Sequence, residues 1–168
     1  VDGNVISSCD MDINNDGIAD LMITNNTQET LTFYKGTDFS ELWKISSPDG
    51  NKISLSYGNH SFSPDFTSQT DVDGDGKPET LLCTYYSDLS TNKFYYKLYI
   101  YNTATHALKF SKEYSWACPS EYTLILGSQY IKTADLDNDN INEIIMDSSL
   151  CISKDSKWFY KSNTIVLK

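Results

Sequence analysis

An acidic loop recurs three times in this chain of 168 residues: Asp12-Ile-Asn14-Asn-Asp16-Gly17-Ile18-Ala-Asp20, Asp71-Val-Asp73-Gly-Asp75-Gly76-Lys77-Pro-Glu79 and Asp135-Leu-Asp137-Asn-Asp139-Asn140-Ile141-Asn-Glu143. Each copy carries an oxygen-bearing side chain at positions 1, 3, 5 and 9. Position 6 holds a residue that tolerates positive φ, namely Gly17, Gly76 or Asn140. A tight turn there folds the odd-numbered side chains around one point. That arrangement suits a hard cation with six to eight oxygen ligands, and Ca²⁺ is the expected ion, up to three per chain. The backbone carbonyls of Ile18, Lys77 and Ile141, at position 7, are expected to add a ligand each.

Charge follows the same pattern. The loops contain 11 of the 23 acidic residues, so the rest of the chain is nearly balanced against its 13 lysines, and almost the whole net charge of −10 lies in three small clusters. Without a cation, carboxylates held this close repel one another, which raises their pKa values and loosens the loop. The plain alternative is a set of solvated Asx turns.

The flanking residues set the fold class. An EF-hand places a bidentate Glu at position 12 and continues into a helix. Here position 12 is Ile23, Leu82 or Met146. Residues 20–24, 79–86 and 143–147, which follow the loops, are short apolar runs of the kind found in buried strands. Residues 4–9, 66–70 and 130–134, which precede them, also have extended character. Each loop is therefore expected at the tip of a β-hairpin.

The repeat reaches further. Lys93-Phe-Tyr-Tyr-Lys97 and Lys157-Trp-Phe-Tyr-Lys161 both begin 22 residues after the first Asp of their loops, and Leu31-Thr-Phe-Tyr34 is the counterpart in the first copy. Fourth strands are predicted at residues 42–45 and 108–110. The loops are spaced 59 and then 64 residues apart. Four antiparallel strands at such a period predict an all-β chain of propeller-like blades, with units at about 1–62, 63–126 and 127–168 in a single repeat domain.

The Asp-x-Asp-x-Asp-Gly-x-x-Asp hairpin followed by an apolar strand resembles the FG-GAP/VCBS repeat of integrin α-subunit propellers and many secreted bacterial proteins. The resemblance spans all three units and is carried by the loops, not by the connecting segments. It implies calcium at hairpin tips on one face of a propeller, bound by Asp12, Asn14, Asp16 and Asp20, by Asp71, Asp73, Asp75 and Glu79, and by Asp135, Asp137, Asp139 and Glu143. Glu79 and Glu143 depart from the commoner Asp at position 9, so a shifted geometry or an added water is expected there. Two blades and part of a third do not close a ring of four to eight. A fragment of a longer propeller, a dimer and a non-propeller array all fit the count.

Composition narrows the partners. With no Arg and a strong acidic excess, the chain is a poor nucleic-acid binder, and it contains no membrane-spanning apolar run. Calcium-filled loops favour a secreted or cell-surface setting. His60 and His106 lie in polar, turn-like sequence, and no nucleophile motif is present, so binding is expected and not catalysis. The partner is a protein or a glycan, a further alternative being a non-catalytic scaffold appended to a secreted glycan-active enzyme. The insertion at residues 46–63 is a candidate surface for a protein, and Trp43, Trp116, Trp158, Tyr95, Tyr96 and Tyr122 are candidate sugar platforms. Their ordinary alternatives are a variable loop and strand packing. Among Cys9, Cys83, Cys118 and Cys151, a Cys118–Cys151 bridge is expected, with Cys83 equally suited to a buried thiol.

Overall fold

A computed structural model describes residues 4–8, 12–14, 16–24, 30–53 and 71–168. Cys9, His60, the expected strand at 66–70 and the insertion beyond residue 53 lie outside the described residues. Within them the chain is all β, without a helix, arranged as three small antiparallel sheets, none of which closes on itself.

The first sheet takes its strands in chain order: β1 (Asn4–Ser8), β2 (Leu21–Thr24), β3 (Thr30–Tyr34) and β4 (Glu41–Ser46). The second is built from β5 (Lys52–Ile53), β6 (Glu79–Asp88), β7 (Lys93–Asn102) and β8 (Leu108–Ala117). The third consists of β9 (Thr123–Ala134), β10 (Glu143–Lys154) and β11 (Lys157–Leu167), with β10 in the middle. The short β5 pairs with the far half of β6, Lys52 with Tyr85 and Ile53 with Thr84. Strand β10 runs well past residues 143–147, the apolar segment that announces it, whereas β6 nearly matches its segment.

The sheets stack face to face, and the second is enclosed on both sides. Leu82, Tyr99 and Tyr101 of the second sheet pack with Leu31, Phe33, Trp43 and Ile45 of the first. From its other face, Leu81, Cys83, Phe94, Tyr96 and Leu98 pack with Ile144, Met146, Leu150 and Ile152 of the third. Double coverage explains why residues 79–84 are buried without the alternation of a half-exposed strand. Each fully buried Leu contributes about 1.5–3 kcal/mol relative to exposure. The edge strands β8 and β11 are largely exposed and lysine-bearing, which discourages further pairing. Trp43 stacks on Phe33 at 5.5 Å and on His106 at 4.3 Å between ring centroids, clamping the first sheet to the β7–β8 turn.

Two fourth strands contain a bulge at the same place. Phe33 pairs Trp43 but Tyr34 pairs Glu41, so Leu42 has no partner across the ladder. Ile100 pairs Phe110 but Tyr101 pairs Leu108, so Lys109 is the extra residue. A bulge re-aims the side chain it inserts.

The expected Cys118–Cys151 bridge does not form. Cys83, Cys118 and Cys151 are free thiols. Cys118 belongs to the core between the second and third sheets, and its thiol donates to the Tyr122 carbonyl at 3.7 Å. Leu150 and Ile152 point into that core. Cys151 lies between them on the strand and therefore turns to the opposite face. Burial pushes the Cys83 thiol far above its ordinary range.

Asp49 fastens the turn before β5. Its carboxylate accepts from Tyr99 Oη at 2.8 Å, Thr84 Oγ1 at 2.9 Å and the Asn51 N–H at 3.1 Å. Burial pushes its pKa up, but the hydrogen bonds from Tyr99, Asn51 and Thr84 outweigh it and hold the value at about 2, against an ordinary 3.8. Since the folded value is depressed, its contribution to stability is complete above pH 3.8 and is lost as pH falls through about 2. Urea unfolding between pH 2 and 5 will show that Asp49→Asn is less stable than the parent at pH 5. The difference will shrink toward pH 2.

Candidate metal centre

Loop 1 (residues 12–20) joins β1 to β2, loop 2 (71–79) leads into β6, and loop 3 (135–143) joins β9 to β10. All three are tied by the same backbone hydrogen bonds. The carboxylate at position 1 accepts from the N–H at position 6, at 2.6 Å in loop 1, 2.7 Å in loop 2 and 3.0 Å in loop 3. The carboxylate at position 5 accepts from the N–H at position 7, which draws Ile18, Lys77 and Ile141 to Asp16, Asp75 and Asp139. The carboxylate at position 9 accepts from the N–H at position 2, so Asp20, Glu79 and Glu143 hold Ile13, Val72 and Leu136. Position 6 has positive φ in every copy, +83° at Gly17, +77° at Gly76 and +67° at Asn140. Asn140 thus does the work of the glycine it replaces, as its short polar side chain permits.

The position 9 carboxylate is the first residue of a buried strand or lies just before one. Asp20, Glu79 and Glu143 are 1%, 0% and 4% exposed. A charge so buried needs partners, and the three copies supply different ones. Among the described residues Asp20 accepts from backbone, its second oxygen from the Gly36 N–H at 3.0 Å. Glu79 Oε1 accepts from Lys109 Nζ at 2.9 Å. Among the described residues Glu143 Oε1 has no hydrogen-bond partner, and Lys168 Nζ lies 4.0 Å away.

Two acidic triads converge. Ligand oxygens of Asp71, Asp73 and Glu79 lie within 4.8 Å of one another, as do those of Asp135, Asp137 and Glu143. Either group could hold a metal ion. Asp75 and Asp139 stand at their margins, drawn to lysines. In loop 1 the described residues form no such triad, and the Asn14 amide donates to Asp16 at 3.0 Å.

Lysines that the motif gave no reason to single out sit in both triads. Lys109 Nζ reaches Asp73 at 2.5 Å, Asp75 at 3.0 Å and Glu79 at 2.9 Å. Lys168 Nζ reaches Asp137 and, at 3.0 Å, Asp139. Lys109 lowers the Asp75 pKa and Lys168 lowers that of Asp139, each chiefly through its hydrogen bond. Burial, opposed by Lys109, leaves Glu79 above its ordinary value. A positive charge thus already stands among the oxygens of each triad.

Loops 2 and 3 touch. The Asn142 N–H donates to the Asp71 carbonyl at 3.1 Å, and Gly74 leaves room for Ile141, whose Cδ1 would lie 2.9 Å from an added Cβ.

The candidate sugar platforms separate by burial. Trp43 and Tyr96 belong to the core. Tyr95 stacks on Tyr86, Tyr122 packs edge-on against Phe159, and Lys161 lies over Trp116. Trp158 is 61% exposed and Tyr160, two residues on, is 78% exposed. Comparison with family models, curated proteins and solved structures returned no match.

Replacing Asp71 by Ala removes the acceptor for the N–H groups of Gly74 and Gly76. Amide exchange in residues 73–76 should then speed up by about tenfold or more while the core of β6 and β7 stays protected. Unchanged exchange at Gly76 would contradict the role given to this carboxylate.

Proposed function

We propose that the loops are Ca²⁺ sites and that the chain is a calcium-stabilised interaction module of propeller-like blades, without catalytic activity of its own. The observation that carries the reading is the convergence of three carboxylates in each of loops 2 and 3, with a lysine ammonium against Asp73 and Glu79 of the first triad and against Asp137 of the second. Glu143 Oε1, buried in its triad and without a hydrogen bond among the described residues, supports the reading for loop 3. An all-oxygen donor set fits a hard cation. Irregular loop geometry with many carboxylates suits the large, adaptable shell of Ca²⁺ better than the tight octahedron of Mg²⁺. Asp12, Asn14, Asp16 and Asp20 repeat the spacing and hydrogen bonding of the other loops, which supports a third site. Carbonyls of Ile18, Lys77 and Ile141 would complete the shells.

The blade reading rests on the antiparallel order β1-β2-β3-β4, on its repetition in the second sheet and on face-to-face stacking. It is what the resemblance to the FG-GAP/VCBS repeat implies, and with it comes a secreted or cell-surface setting. The partner is a protein or a glycan, and neither nucleic acid nor membrane insertion is part of the proposal. The exposed pair Trp158 and Tyr160 on one face of β11 favours the glycan as the second reading, because such rings stack on sugar faces.

At free Ca²⁺ about one hundred times the dissociation constant, each site would add about 2.7 kcal/mol to stability. Chelation should therefore lower the melting temperature markedly, and Mg²⁺ should fail to restore it. Asp73→Ala should abolish one site and leave the others. A melt unmoved by chelator and by added Ca²⁺ would remove calcium as a structural element.

A further inference from the structure

We propose that Lys109 and Lys168 are built-in competitors for the cation positions of loops 2 and 3. Each sets the metal affinity of its loop, and metal entry exchanges an ammonium for the ion. The inference rests on the cation-binding reading above and names the residues that tune it.

The geometry shows how each lysine gets there. Lys109 is the extra residue of the β8 bulge, and its Nζ makes three carboxylate contacts in loop 2. The same bulge in the first sheet inserts Leu42, which packs against the apolar core, as does Ile13 of loop 1. One backbone device thus delivers a cation to loop 2 and a hydrocarbon to the apolar core. Lys168 arrives by another route. It follows Leu167, which pairs Ile144, so it lies across from Glu143 on the neighbouring strand. The residue placed likewise in the first sheet is Lys35, after Tyr34, which pairs Leu21. Among the described residues no ammonium is paired with a loop 1 carboxylate. There the second oxygen of Asp20 is taken by the Gly36 N–H instead.

An ammonium and a divalent ion cannot occupy the same point among these oxygens. The ion must displace Lys109 from Asp73 and Glu79, and the cost of that displacement is subtracted from its affinity. The lysine has an exit. A groove of about 420 Å³ between β8 and β11, lined by Lys109, Phe110, Tyr114, Leu167 and Lys168 among others, opens beside both loops. Exchange therefore needs side-chain rotation and no rearrangement of the sheets.

The test is a Ca²⁺ titration of the whole chain followed by amide NMR, with Gly17, Gly76 and Asn140 reporting loops 1, 2 and 3. Lys109→Leu, which installs the residue found at the first bulge, should tighten loop 2 by at least about threefold and leave loop 1 unchanged. Lys168→Gln should tighten loop 3, while Lys157→Gln, at the far end of β11, should change neither. Equal or weaker Ca²⁺ affinity at Gly76 in folded Lys109→Leu would overturn the proposal. If that variant does not fold, Lys168→Gln decides it at Asn140, on an exposed chain position. If none of the three amides responds in the parent protein, the cation reading itself fails and the proposal falls with it.

Discussion

The structure depends on burying a carboxylate where each loop enters its strand. Asp20, Glu79 and Glu143 are almost fully enclosed, yet each must remain close to two or three other acidic or amide side chains of its loop. Burial of an uncompensated charge is expensive, and like charges nearby make it more so. Among the described residues the chain answers in three ways: backbone N–H groups for Asp20, a bulge-borne lysine for Glu79, and for Glu143 a single N–H with Lys168 at a longer 4.0 Å. In loops 2 and 3 the buried carboxylate is part of a triad that could hold a metal ion.

That local demand sets the larger architecture. The N–H of position 2 bonds to the carboxylate of position 9, which fixes where the following strand begins and so which side chains face each neighbouring sheet. In the second sheet this places Leu82 toward the first sheet and Leu81 toward the third. A shift of one residue would exchange the two faces. The hairpin tips thus set the register on which sheet stacking depends, and cation binding at the tips would stiffen the stack as a whole.

Much of this was legible in the chain. The odd-numbered oxygens and the positive-φ residue at position 6 announced the loops, and the apolar runs after them announced β2, β6 and β10. The length of β10 was not legible, because the run Asp147-Ser148-Ser149 looks like a turn until ladder pairing holds it. Lys109 was hidden for a similar reason. Its neighbours Leu108 and Phe110 mark a strand, but whether the lysine is paired or bulged is decided by the register against Tyr101 and Ile100. Cys118 and Cys151 looked suited to a bridge by sequence position. The pleat of β10 puts Cys151 on the face away from the core that holds Cys118. Pairing across sheets and strand-face parity are tertiary facts, and neither is written in local spacing.

The central claim is that these loops are cation sites. The most direct measurement is a crystal structure of the protein grown with Ca²⁺, with anomalous differences used to find the ions. The account predicts an ion in each loop, ligated by the odd-numbered oxygens at about 2.3–2.6 Å, with Lys109 and Lys168 turned out into the groove. Calcium-saturated crystals without anomalous density in the loops, and with Lys109 still seated among Asp73, Asp75 and Glu79, would contradict it.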